Sequence, residues 1–197
     1  GGAIERLMDC FGESPQMSPD GTKIVFERGG SEWSRRHYRG PDSRDLWLYD
    51  TGTKAFTRLT TWAGNDGKAR WRDNSTLVYL SDREFDTVNL WTTTLAGGEG
   101  KARRLTDLKG VDVHDLDVSR DGSTAVFSAW DTLSTLDLRA AGAVPAKLAI
   151  NASDDDGDNF ALKPVGKDVS AAALSPDGKT MAVIAYGQGY VRSTEEK

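Results

Sequence analysis

Four times along the chain a run of alternating or continuous apolar residues follows a short polar turn. The turns are Ser18-Pro19-Asp20-Gly21, Arg72-Asp73-Asn74-Ser75, Ser119-Arg120-Asp121-Gly122 and Ser175-Pro176-Asp177-Gly178. The runs after them are Lys23-Ile24-Val25-Phe26, Leu77-Val78-Tyr79-Leu80, Ala125-Val126-Phe127-Ser128 and Met181-Ala182-Val183-Ile184. Asp, Asn and Gly tolerate the positive backbone dihedrals of tight turns, so each turn predicts a hairpin between the first and second strands of a unit. A third alternating segment follows in every unit: Asp45–Asp50, Val88–Thr93, Ser134–Leu138 and Gly189–Arg192. A fourth follows in three of them: Phe56–Thr60, Ala102–Thr106 and Ala146–Ile150. Strand patterning at a period of about 50 residues predicts an all-β, radially repeated β-propeller with four-stranded antiparallel blades.

The blades are expected at about residues 14–60, 65–106, 111–150 and 160–193, with 1–7 as the tail of a preceding blade, so that 1–197 is a partial propeller. The chain then opens on a fourth strand and ends lacking one. Either a longer ring extends past the sequence, or the blades close on themselves or on a second copy. Unpaired strand edges invite pairing with another chain, so the isolated chain is expected to self-associate.

Composition narrows the function classes. With 38% hydrophobic residues among 197, the chain has enough apolar material for a core, and its 21 glycines fall mainly between the periodic segments. A net charge of −5 argues against nucleic acid as the main partner, and no apolar run reaches the roughly 20 residues of a membrane helix. Cys10 is the single cysteine, so no intrachain disulfide forms. The compartment, cytoplasmic or exported, stays open.

Few residues suggest chemistry. There is no Gly-x-Ser-x-Gly elbow, and the two histidines, His37 and His114, fall in different units. His114 stands on an expected innermost strand, where it reads as a channel-lining polar group or as a solvated strand residue. One histidine without a second ligand at metal spacing predicts no metal site. Asp154-Asp155-Asp156-Gly157-Asp158 fails the calcium-loop pattern, because Ala152 and Lys163 occupy the first and last ligand positions; a solvated acidic loop is expected. Asn74-Ser75-Thr76 and Asn151-Ala152-Ser153 match the glycosylation triplet and carry little information. No cofactor is implied. The most unusual segment is the insertion between the second and third strands of the first unit, with Trp33, Arg35, Arg36, Tyr38 and Arg39. Its aromatic and cationic groups suit docking on a neighbouring domain or binding a ligand carboxylate. The plainer reading packs Trp33 and Tyr38 and leaves the arginines in water.

The string Ser14-Pro15-Gln16-Met17-Ser18-Pro19-Asp20-Gly21 resembles TolB-like and tricorn-like propeller repeats. The order of later features resembles the N-terminal propeller of tricorn-type serine peptidases: Tyr38-Arg39-Gly40, Asp45–Asp50, Val78-Tyr79-Leu80-Ser81-Asp82-Arg83, and Ala171–Gly178. The resemblance implies a six-bladed propeller flanking a catalytic core that lies elsewhere in a parent serine peptidase. It implies a non-catalytic chain that gates or positions peptides, with peptides or the remaining domains as partners. A basic pair that holds peptide carboxylates in that family belongs to an earlier blade and is not transferred to Arg35 and Arg36. The alternative is a TolB-like protein-binding module attached to no enzyme; a propeller on a prolyl-oligopeptidase-like hydrolase is a third.

Overall fold

Fifteen strands in four antiparallel sheets account for nearly all regular structure in the computed structural model, which describes residues 4, 6–35, 37–84, 87–150 and 168–195. The first sheet is β1 (Glu13–Met17), β2 (Lys23–Arg28), β3 (Asp45–Asp50) and β4 (Phe56–Arg58). The second is β5 (Asp66–Trp71), β6 (Thr76–Ser81), β7 (Asn89–Thr94) and β8 (Arg103–Arg104); the third is β9 (Val113–Val118), β10 (Thr124–Ala129), β11 (Thr132–Asp137) and β12 (Ala146–Lys147). The fourth has three strands, β13 (Val169–Leu174), β14 (Thr180–Ala185) and β15 (Gln188–Ser193). Within each sheet, strands pair in sequence order. Residues 1–150 form one unit and 151–197 another. Of the tail expected over 1–7, Ile4, Arg6 and Leu7 are described and belong to no strand. The Asp154–Asp158 motif and the Asn151 triplet lie outside the described residues.

The apolar run on β6 is explained by packing on both faces of the second sheet. Side chains alternate across a strand. On β6, Leu77 and Tyr79 join Val25, Leu46 and Leu59 of the first sheet, whereas Val78 and Leu80 join Phe127, Leu116 and Leu136 of the third. A strand buried on both sides must read as continuously hydrophobic.

The predicted turns close by one recurring set of bonds. Ser18 Oγ donates to Asp20 Oδ1 (2.6 Å), which also accepts the Thr22 amide (3.0 Å), while Ser18 Oγ accepts the Lys23 amide (2.9 Å). Ser119 with Asp121, and Ser175 with Asp177, repeat the pattern. These bonds stabilise the charged carboxylate. The hydroxyl of Ser18 holds Asp20 down to about 2, and that of Ser119 holds Asp121 at about 2, both from 3.8. A folded-state value below the unfolded one contributes stability in full above about 4, lost as pH falls through about 2. Carboxyl shifts in an NMR titration are expected to place the Asp20 and Asp121 midpoints near 2; midpoints near 3.8 would show the bonds absent in solution.

The turns also touch between sheets. Asn74 Oδ1 accepts the Asp20 amide (3.0 Å), and a Cβ on Gly122 would overlap the Arg72 carbonyl oxygen. Gly21 and Gly122 both have left-handed φ, 73° and 69°, but a Cβ on Gly21 meets open space. Gly21→Ala is expected to cost about 1–2 kcal/mol from backbone strain alone. Gly122→Ala adds overpacking and should reach about 2–3 kcal/mol. Equal unfolding midpoints for the two variants would contradict this seating of the third turn on the second sheet.

The fourth strands are shorter than the sequence predicts. Thr60 Oγ1 accepts the Leu46 amide (2.9 Å), and Thr106 Oγ1 accepts the Leu90 amide (2.9 Å). A buried threonine hydroxyl thus replaces the main-chain carbonyl, and the ladder stops at Arg58 and Arg104. A second recurring device joins sheets. Asn65 Oδ1 accepts the Arg44 amide (3.1 Å) while the Asp66 amide donates to the Arg44 carbonyl (2.9 Å). Asp112 Oδ1 likewise accepts the Val88 amide (2.8 Å), and the Val113 amide donates to the Val88 carbonyl (3.0 Å).

Candidate functional site

The connections between second and third strands differ sharply in length. The third and fourth sheets use the pairs Trp130-Asp131 and Tyr186-Gly187, whereas the first sheet uses residues 29–44. That insertion is pinned by a carboxylate from the second sheet. Asp82, fully buried, accepts the His37 amide at Oδ2 (2.8 Å), Trp62 Nε1 at Oδ1 (2.8 Å), the Asn65 amide at Oδ1 (2.9 Å) and Asn65 Nδ2 at Oδ2 (3.2 Å). His37 is left-handed (φ 54°), a conformation that costs energy and needs such a hold.

A second buried network sets the base of the insertion. Arg44 Nη1 lies 2.8 Å from Glu13 Oε2 and 3.1 Å from Glu27 Oε2, and its Nε donates to the Ser31 carbonyl (2.6 Å). Burial works against the Arg44 charge, but the bonds to Glu13 and Glu27 outweigh it and raise its pKa above the ordinary arginine value. Glu27 Oε1 accepts the amide of Lys68, the left-handed residue (φ 50°) in a bulge of β5. Gly67 is required there, since a Cβ would lie 2.5 Å from Glu27 Oε2.

Together these networks hold open a cleft of about 710 Å³ at one end of the first sheet. Its walls come from four chain segments and include Phe11, Arg28, Asp42, Trp47, Arg58 and Trp62. The Arg28 guanidinium lies 4.8 Å from the centre of the Trp47 ring, and Arg58 pairs with Asp45 (2.7 Å). Among the described residues, Arg28 makes no ion pair or side-chain hydrogen bond, so its donors are open to a ligand.

The residues singled out in the sequence are not gathered here. Trp33 is half-buried against the core shared by the second and third sheets. Exposed Arg35 stacks on Tyr38 (4.1 Å), and exposed Arg39 lies 5.6 Å from the centre of Trp62, a cleft residue. Arg36 lies outside the described residues. His114 is exposed on β9, where its carbonyl accepts Lys68 Nζ (2.8 Å), and it does not line the cleft. Among the described residues, no group of three or more His, Cys, Asp or Glu could hold a metal ion, and no helix is long and apolar enough to cross a membrane.

Solved structures share the all-β fold. TolB from Acinetobacter baumannii is 16% identical, with a TM-score of 0.54, over 92% of this chain and 40% of that one. A putative TolB from Agrobacterium tumefaciens is 17% identical, with a TM-score of 0.51, over 66% and 46%. The fold is that of a TolB-like β-propeller. At these identities the likeness concerns fold alone, and the four sheets are propeller blades. No family model matches the chain. A stretch of 95 residues is 33% identical to an uncharacterized peptidase, YuxL, of Bacillus subtilis (strain 168). That match covers 48% of this chain and only 14% of the relative.

Proposed function

We propose that this chain is a non-catalytic propeller segment of a tricorn-like serine peptidase and that it positions peptides in the cleft at the end of its first blade. The cleft is the observation that carries the reading, and the stretch similar to a peptidase supports it. Extended peptides offer carbonyl oxygens, amides and apolar side chains. The walls supply matching groups: Arg28 as donor, Asp42 as acceptor, and the rings of Phe11, Trp47 and Trp62 as apolar surface. Arg28 is already laid on Trp47, so less side-chain freedom is lost when it meets a ligand.

Tryptophan fluorescence during titration with unstructured peptides tests the proposal. Saturable quenching is expected, weakened about tenfold by Arg28→Gln, or ~1.4 kcal/mol. Mass spectrometry of the same mixtures should show the peptides intact. Absence of saturation up to millimolar peptide, or cleavage that survives purification, would overturn the reading.

A further inference from the structure

Four arginines contribute to the walls of a second cavity. Arg72, Arg103, Arg104 and Arg139 line a cavity of about 160 Å³ with Asp137, between the end of β5, the strand β8 and the turn after β11. That volume equals roughly five water molecules. In a chain of net charge −5, such a concentration of one sign stands out.

The counter-charges cover half of the set. Arg139 Nε contacts Asp137 Oδ1 (3.1 Å), and Arg104 Nη1 lies 3.2 Å from both Glu84 and Asp107. The side chains of Arg72 and Arg103 form no hydrogen bond or ion pair with any described residue. A guanidinium with no partner has its donors available, and a bound oxyanion accepts several charge-assisted hydrogen bonds from such groups. The cavity is formed by fixed elements, because the third-blade turn is seated on Arg72: Gly122 closes on its carbonyl, and the Leu138 amide donates to the Ser123 carbonyl (2.8 Å).

We propose that this cavity is a phosphate-binding site, with Arg72 and Arg103 as the principal donors. It is separate from the peptide cleft and independent of the reading given for that cleft. Free phosphate and the terminal group of a phosphate monoester share the same tetrahedral chemistry. The small volume favours free phosphate, since a monoester must leave its organic part outside.

Thermal unfolding of the full chain with inorganic phosphate tests the site, because a ligand that binds only the folded state raises Tm with its concentration. Sodium chloride at matched ionic strength is the control, and O-phosphoserine is the monoester arm. The expected result is a phosphate-dependent rise in Tm beyond the chloride control, with an apparent Kd weakened at least tenfold in the Arg72→Gln/Arg103→Gln double variant. Phosphorus NMR line broadening, lost in that variant, gives a second readout that does not depend on stability. A larger rise with O-phosphoserine than with phosphate would assign the site to monoesters. An equal rise with chloride, or unchanged phosphate binding in the double variant, would overturn the proposal.

Discussion

Asp82→Ala is expected to destabilise the chain by about 3–5 kcal/mol and to release the insertion of the first blade. The substitution removes the carboxylate from four donors at once: the His37 amide, Trp62 Nε1, and the Asn65 amide and side-chain nitrogen, the last of which keeps only a long bond to the Arg35 carbonyl (3.4 Å). Each buried donor left unpaired costs about 1–3 kcal/mol, and water entering the space offsets part of the sum. Asn65 is itself the clip between the first and second blades, so the loss reaches the Arg44 amide it accepts. The denaturation midpoint should fall with little change in slope, which identifies a loss of stability and not of compactness. Amide exchange should rise across residues 33–44. A midpoint within about 0.5 kcal/mol of the parent would show that Asp82 does not hold the insertion.

Arg44→Met should cost about as much, for a different reason. Glu27 is only 2% exposed, and the substitution removes the cation beside it while leaving its charge in place. Breaking one side of a buried pair costs about 3–5 kcal/mol, whereas neutralising both sides is far less damaging. The double variant Arg44→Met/Glu27→Gln keeps an acceptor for the Lys68 amide and should recover much of the loss. Chemical unfolding of the single and double variants gives the coupling directly. If the double variant is less stable than Arg44→Met, the ion pair is not the source of the effect.

The turns were legible because they depend on contiguous residues. A serine two places before an aspartate, with glycine next, closes the same hydrogen bonds in three blades, and a reader of the sequence meets all the participants together. The second strands of the first two sheets were legible for a related reason, since β2 and β6 are buried on both faces and leave a continuous apolar run. The ends of the fourth strands were hidden because Thr60 and Thr106 look like strand residues, yet their hydroxyls replace the backbone. A signal was present: Leu-Thr recurs at 59–60 and 105–106, and Asn65 and Asp112 each follow it at short range.

The cleft was hidden by its construction. Arg28, Trp47 and Trp62 come from separate segments and form no motif. The insertion is visible in the sequence as an unusually long segment, but its position is decided by Asp82, 45 residues beyond His37. Asp82-Arg83 stands in the string that carries the resemblance to tricorn-type propellers, so the pattern contained the residue without showing its role. Trp33 packs against the core, and Tyr38 lies under Arg35.

Hydrogen exchange of the chain with and without a bound unstructured peptide tests the central claim most directly, since it reports where the ligand sits. The account predicts added protection in the segments that form the cleft, residues 11–13, 27–30, 40–47 and 58–63, with the fourth blade unchanged. Protection confined to other segments, or none at saturating peptide, would contradict it.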